Sequence, residues 1–142
     1  MSILVLAACV SSHGERSEVV RLTLDVSDDV GWTEVLSFYN DGSVWMNEAK
    51  WTRISPECLE SRVVSVVEST AFVSHLSDTS YDLGGLSRVR VQAGGKSAVF
   101  QLDGMPSSVE GAIQGMVQCV AQVDALFERN SGFSRFFISA VH

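Results

Sequence analysis

The chain has 142 residues, 46% of them apolar, with two prolines and 17 acidic against 10 basic side chains, a formal net charge of -7. That much apolar material suits one compact domain with its own core and excludes a disordered chain, which could not bury enough surface to fold. The charge argues against nucleic acid and against electrostatic adhesion to an anionic membrane, since both need clustered Lys and Arg, and it favours a basic partner surface.

The chain opens on a short apolar run, residues 3–8, that ends in Leu6-Ala7-Ala8-Cys9. This has the form of a bacterial lipobox: the small residues admit a peptidase, and the Cys9 thiol would accept a diacylglycerol. The run lies at the short end of the about 7 to 15 residues of a secretory core, and no Lys or Arg precedes it. The other reading is a buried edge strand. The stretch that follows, Ser11-Ser12-His13-Gly14-Glu15-Arg16-Ser17, has flexible-linker composition, which favours the lipobox over a strand and tight turn. The expected organisation is a signal over residues 1–8, a polar tether over 9–18 and one domain over 19–142. No segment approaches the roughly 20 apolar residues of a spanning helix, so membrane contact is expected only through the lipid.

In the domain, Val20, Leu22, Leu24 and Val26 alternate with Arg21, Thr23 and Asp25, the pattern of a strand with one wet face, and Asp28-Asp29-Val30-Gly31 ends it. A second strand is predicted over 33–39; Asn40-Asp41-Gly42 turns the chain, and a single return strand runs over 43–51. On a regular return strand Trp45 and Trp51 share one face, opposite Val44 and Met46. The tryptophans are expected on the core side, with a binding platform as the alternative.

Ser55-Pro56 supplies an N-cap and a proline at the first helical position, and Leu59, Val63, Val66, Val67 and Thr70 recur at helical spacing, predicting a helix over 56–70. Its valines are weak helix formers, so packing must hold it. After an irregular stretch over 71–85 the order repeats. Val89, Val91 and Ala93 lead into Gly94-Gly95, and Ala98, Phe100 and Leu102 return. Ser107 and Glu110 have capping-box spacing, opening a second helix with an apolar face of Val109, Ile113, Met116, Val117, Val120 and Phe127. The tail over 129–142 holds Phe133, Phe136 and Phe137; a last strand closing the sheet is expected, a docking segment being the alternative.

The sum is an α+β fold: a leading strand, then a duplicated ββα unit, giving an antiparallel sheet of about five or six strands with two helices on one face. Gly111, Gly115 and Cys119 form a small-residue line, and Cys58, Ser61, Ser65 and Ser69 a looser one, along which the helices should approach closely. Of the three cysteines, lipidation of Cys9 would leave Cys58 and Cys119 as an even pair in an oxidising compartment. Antiparallel helices side by side could join them, whereas parallel helices would separate them by about 15 to 20 Å. Two buried thiols are the other reading.

Candidate chemistry is sparse. His13 falls in the tether and His142 ends the sequence, which leaves His75 to act with Asp78 and Asp82 as a loose acid/base or metal cluster in the long loop; solvated loop groups are the ordinary explanation. No metal-ligand spacing, P-loop or nucleophile elbow occurs, and Gly84-Gly85 and Gly94-Gly95 read as turns, so no cofactor and no metal are expected.

Asp41-Gly42-Ser43-Val44 in the first hairpin, Ile54-Ser55-Pro56-Glu57 opening a helix, Ala71-Phe72 closing it and Tyr81-Asp82 before a Gly-Gly hairpin together resemble a broad group of small bacterial envelope proteins, mostly lipoproteins. More weakly, the layout is similar to emfourin-type inhibitors of thermolysin-like metalloproteases. The resemblance spans about residues 20–127 and rests on turns and caps, so no inhibitory residue is carried across. The lipobox together with the missing catalytic constellation points to an exported, non-enzymatic module of the cell envelope that binds another protein, a secreted protease being the concrete case, through the loop over 74–85 with His75, Asp78, Tyr81 and Asp82 or through a sheet edge. The alternatives are a small hydrolase or metal enzyme built on His75 with Asp78 or Asp82, and a structural lipoprotein that self-associates through Phe136-Phe137.

Overall fold

The computed structural model describes residues 16–27, 31–77 and 86–136. Strands β1 (Glu18–Val26), β2 (Trp32–Tyr39), β3 (Ser43–Met46), β4 (Ala49–Arg53), β5 (Arg88–Ala93) and β6 (Lys96–Gln101) form one antiparallel sheet in the order β4-β3-β2-β1-β5-β6. The leading strand is thus the central one. The three-stranded meander β2-β3-β4 extends from one of its edges and the β5-β6 hairpin from the other, so the two expected repeat units flank β1 and the first carries an extra strand.

Alternation decides which side of the sheet is dry. Val20, Leu22, Leu24 and Val26 of β1 pair across with Phe38, Leu36, Glu34 and Trp32 of β2, and apart from Trp32, which is exposed at the strand's start, the apolar members of that face are buried with Val44, Met46, Val89 and Val91. Against them packs α3 (Ser107–Val123) through Val109, Ile113, Met116, Val117 and Val120, all essentially inaccessible. Each such side chain contributes about 1.5 to 3 kcal/mol by leaving water. The helices accordingly share one face.

The first helical segment, α1, is a continuous run of Pro56–Cys58, Leu59–Val64 and Ser65–Val67, and its middle turn is of π type, with the Ser65 N–H donating to the Glu60 carbonyl. Ser55 caps its start by accepting from the Cys58 N–H at 3.1 Å. The predicted helix over 56–70 stops short because Ser69 accepts from the Phe72 N–H at 3.2 Å and caps a separate turn, α2 (Thr70–Val73). Likewise the second helix does not run unbroken to Phe127: Asp124 leaves helical geometry and accepts from the Leu126 N–H at 3.0 Å, starting α4 (Ala125–Asn130). The Ser107–Glu110 capping box does not form. Pro106 holds the cap position, its carbonyl accepting from the Val109 and Glu110 N–H groups at 3.0 and 2.9 Å.

The return strand over 43–51 is two strands. Asn47 and Glu48 adopt positive φ (51° and 70°) and make a tight turn without glycine, which hid it from the sequence. Asn47 secures that turn by accepting from the Val35 N–H at 2.8 Å through its side chain while its own N–H donates to the Val35 carbonyl at 2.9 Å. Trp51 is then an extra residue in β4, because Val44 faces Thr52 while Trp45 faces Lys50. The two-residue turn pairs Trp45 with Lys50, so the next residue, Trp51, points to the face of Val44 and Met46. Trp51 therefore packs against the core, whereas Trp45 stands on the opposite face and Val44 and Met46 are the buried set. The two tryptophans do not share a face, and Trp45 is not a core residue.

The tail is no strand among the described residues. Gly132–Ser134 forms a 3-10 turn that buries Phe133, and Phe136 stacks on Phe133 at 6.1 Å inside the core. Its anchor is Glu34, a buried carboxylate on the core face that accepts from the Ser131 hydroxyl at 2.6 Å.

Candidate functional site

The face of the sheet away from the helices carries Arg21, Thr23 and Asp25 of β1, Thr33, Val35, Ser37 and Tyr39 of β2, and Ser43 and Trp45 of β3, as strand alternation requires. Most of it is polar, the usual state of a wet antiparallel face. The exception lies at the β2–β3 hairpin. Tyr39 and Trp45 meet edge to face with centroids 6.2 Å apart, and the Arg16 guanidinium lies 4.4 Å from the Tyr39 centroid and 4.6 Å from that of Trp45. Cation–π contacts of this kind contribute about 0.5 to 2 kcal/mol. Around them a concavity of about 280 Å³ is lined by Arg16, Arg21, Val35, Ser37, Tyr39, Trp45 and Glu48.

Local hydrogen bonding fixes each wall. The Trp45 indole N–H donates to the Ser43 hydroxyl at 3.3 Å, and Ser43 in turn donates to the Asp41 carboxylate from its hydroxyl (2.6 Å) and its N–H (2.9 Å). Those bonds, the hydroxyl first, hold the Asp41 carboxyl below its ordinary value against the opposing pull of burial, with the Arg53 and Arg16 charges adding to the same direction. Gly42 completes the turn at a φ of 89°, and a Cβ there would press on the Ile54 carbonyl at 3.2 Å. Arg16 is brought in by its neighbour: the Ser17 N–H donates to the Asn40 side chain at 3.0 Å and the Asn40 N–H returns a bond to the Ser17 carbonyl at 2.9 Å. Arg21 is paired with Glu18 at 3.0 Å.

The residues singled out by sequence distribute as follows. Cys58 and Cys119 are joined as a disulfide with a Cα separation of 6.1 Å, tying the start of α1 to α3. The small-residue line contributes less to that contact than its spacing suggests: a Cβ on Gly115 would meet Arg62 at ordinary distance, 3.6 Å, and one on Gly111 would meet nothing. His75 sits after α2, its Nε2 3.1 Å from the Ser108 hydroxyl and its ring edge-on to Phe100. Asp78, Tyr81 and Asp82 lie outside the described residues, as do Cys9, His13, Asp28, Asp29, Phe137 and His142. Phe136 is in the core and is not a surface available for self-association. Among the described residues no group of three His, Cys, Asp or Glu side chains could hold a metal ion, and no described helix is long and apolar enough to cross a membrane.

Tyr39 and Arg16 escaped the sequence reading. Tyr39 ends the strand predicted over 33–39, and its pairing in the sheet puts it on the wet face; Arg16 lies in a stretch whose composition reads as a linker. No family model matches the chain, and no curated protein or solved structure matches it.

Proposed function

We propose that this chain is a non-catalytic protein-binding module of the bacterial cell envelope that grips its partner with the helix-free face of its sheet. The observation that carries the reading is the notch of Tyr39, Trp45 and Arg16, because paired aromatic rings and arginine are the side chains that dominate the energetics of protein interfaces. Export is supported by the Cys58–Cys119 disulfide, a bond that persists in oxidising compartments, and by Leu6-Ala7-Ala8-Cys9, through which the domain would be lipid-anchored. Intact-mass analysis of protein from its native host should find a chain beginning at Cys9 with added acyl mass. An unmodified Met1 would contradict the anchor.

The partner class to be tested first is a secreted metalloprotease. The resemblance to emfourin-type inhibitors rests on a hairpin-helix-hairpin-helix layout, to which the first unit of this fold adds a strand, and β4, bonded only to β3 among the described strands, offers an edge for a strand-like contact. Purified protein is expected to inhibit a member of a panel of thermolysin-like proteases at micromolar concentration; a panel left untouched removes this subtype. The broader reading is tested by tagging wild type and Trp45→Ala in the native host and comparing what co-purifies. One envelope protein should accompany the wild type in near-equal amount and be lost with the variant. Identical sets from both would contradict it.

A further inference from the structure

The notch already has an occupant. Tyr39 and Trp45, inclined at 68° to each other, make a two-walled corner rather than a flat platform, and a guanidinium is seated against both walls. The surroundings suit a cation. Glu48 lines the same concavity, and the Asp41 carboxylate lies in the adjoining turn, its acidity raised first by the Ser43 hydroxyl and least by the Arg16 charge. Arg21, the other cation in the concavity, is already paired with Glu18. Two ring faces with a carboxylate beside them attract a delocalised, weakly hydrated cation better than an apolar or neutral group.

The occupant is also placed to leave. Arg16 is exposed and directly precedes Ser17, where the chain is clipped to Asn40, so lifting it disturbs no sheet pairing. The chain's net charge of -7 favours a basic partner surface.

We propose that the Tyr39–Trp45 corner recognises an arginine side chain of the partner, and that Arg16 fills the corner in cis until the partner displaces it. This rests on the reading of the helix-free face as the protein-binding surface. A guanidinium from outside makes the same two ring contacts that Arg16 makes, so the corner gains little from exchange alone. The advantage must come from further contacts along the face. Arg16, competing at the high effective concentration of an attached group, therefore acts as a threshold that admits only partners making them.

The test uses the isotopically labelled full chain, titrated with N-acetyl-arginine amide and with its uncharged isostere N-acetyl-citrulline amide, reading the Trp45 indole and the Ser37 and Val35 amide resonances. Arg16→Ala should bind the arginine amide about tenfold more tightly than wild type, since the corner then opens without competition. Tyr39→Leu and Trp45→Leu, each added separately to Arg16→Ala, should abolish the response while core resonances such as Leu22 stay in place. Equal affinity in wild type and Arg16→Ala, or equal response to citrulline, would overturn the proposal. If arginine amide does not bind while Trp45→Ala still loses its envelope partner, the arginine corner falls and the protein-binding face stands; if the partner is retained as well, both fall.

Discussion

At Gly132 a Cβ would fall on the far edge of the Trp32 indole, which must shift to admit it, and Arg135 lies over the same ring while its Nε donates to the Gly132 carbonyl at 3.1 Å. Gly132→Ala should cost about 1 to 3 kcal/mol, seen as a lower urea midpoint. The cost should shrink in a Trp32→Ala background, since the residues are in contact; equal cost in both backgrounds would contradict the packing. Glu34 is the second residue on which the tail depends. Glu34→Ala would strip the Ser131 hydroxyl of its acceptor at a buried site, and should lower stability by about 1 to 3 kcal/mol, whereas Glu34→Gln, which keeps an acceptor, should lose less in thermal unfolding. Asp41 gives a pH dependence with a definite sign. Its folded-state carboxyl is held below the ordinary value of 3.8, so the stabilisation is present above that value and is lost as pH falls through the lower folded value. Urea unfolding should show Asp41→Asn less stable than wild type at neutral pH, with the gap closing in acid.

Among the elements, α1 is held by a covalent tie as well as by packing. Val63 is its one fully buried valine, and the disulfide closes a loop between residues 61 apart in sequence. Replacing Cys58 or Cys119 by Ala should cost about 2 to 4 kcal/mol in chemical unfolding, and replacing both should cost no more than replacing one. Losses that simply add would mean the two thiols act independently. The elements also mark where the sequence is legible and where it is not. Strand alternation in β1 and the Gly42 turn are strong local signals, and both elements lie where those signals place them. The turn at Asn47-Glu48 carries no glycine and depends on a side-chain bond to Val35, a partner 12 residues away, so no short window could reveal it. By reversing the chain between Trp45 and Trp51, that turn places the two tryptophans on opposite faces. Helix ends were missed for a related reason: Ser69 and Asp124 interrupt apolar patterns that continue through them, and periodicity alone cannot tell a cap from a surface polar residue.

At the scale of the whole molecule, the α+β class and the placement of helices on one face follow from patterns that a single strand or helix displays. The position of β1 between the hairpin units does not, because pairing of β1 with both β2 and β5 is a long-range choice. That arrangement leaves one broad face without helices. Its mixed character is concealed for the same reason as the notch itself, since Arg16, Tyr39 and Trp45 come together only when the residues just before β1, the end of β2 and β3 meet. The most direct test of the account places a photo-crosslinking residue at Val35 on the helix-free face and, in a second protein, at Gln118 on the exposed side of α3, and illuminates both in the native host. A discrete adduct to one envelope protein is predicted from position 35 alone, and it should vanish when Trp45→Ala is added; an adduct from position 118 alone, or one from position 35 indifferent to Trp45, would contradict the account.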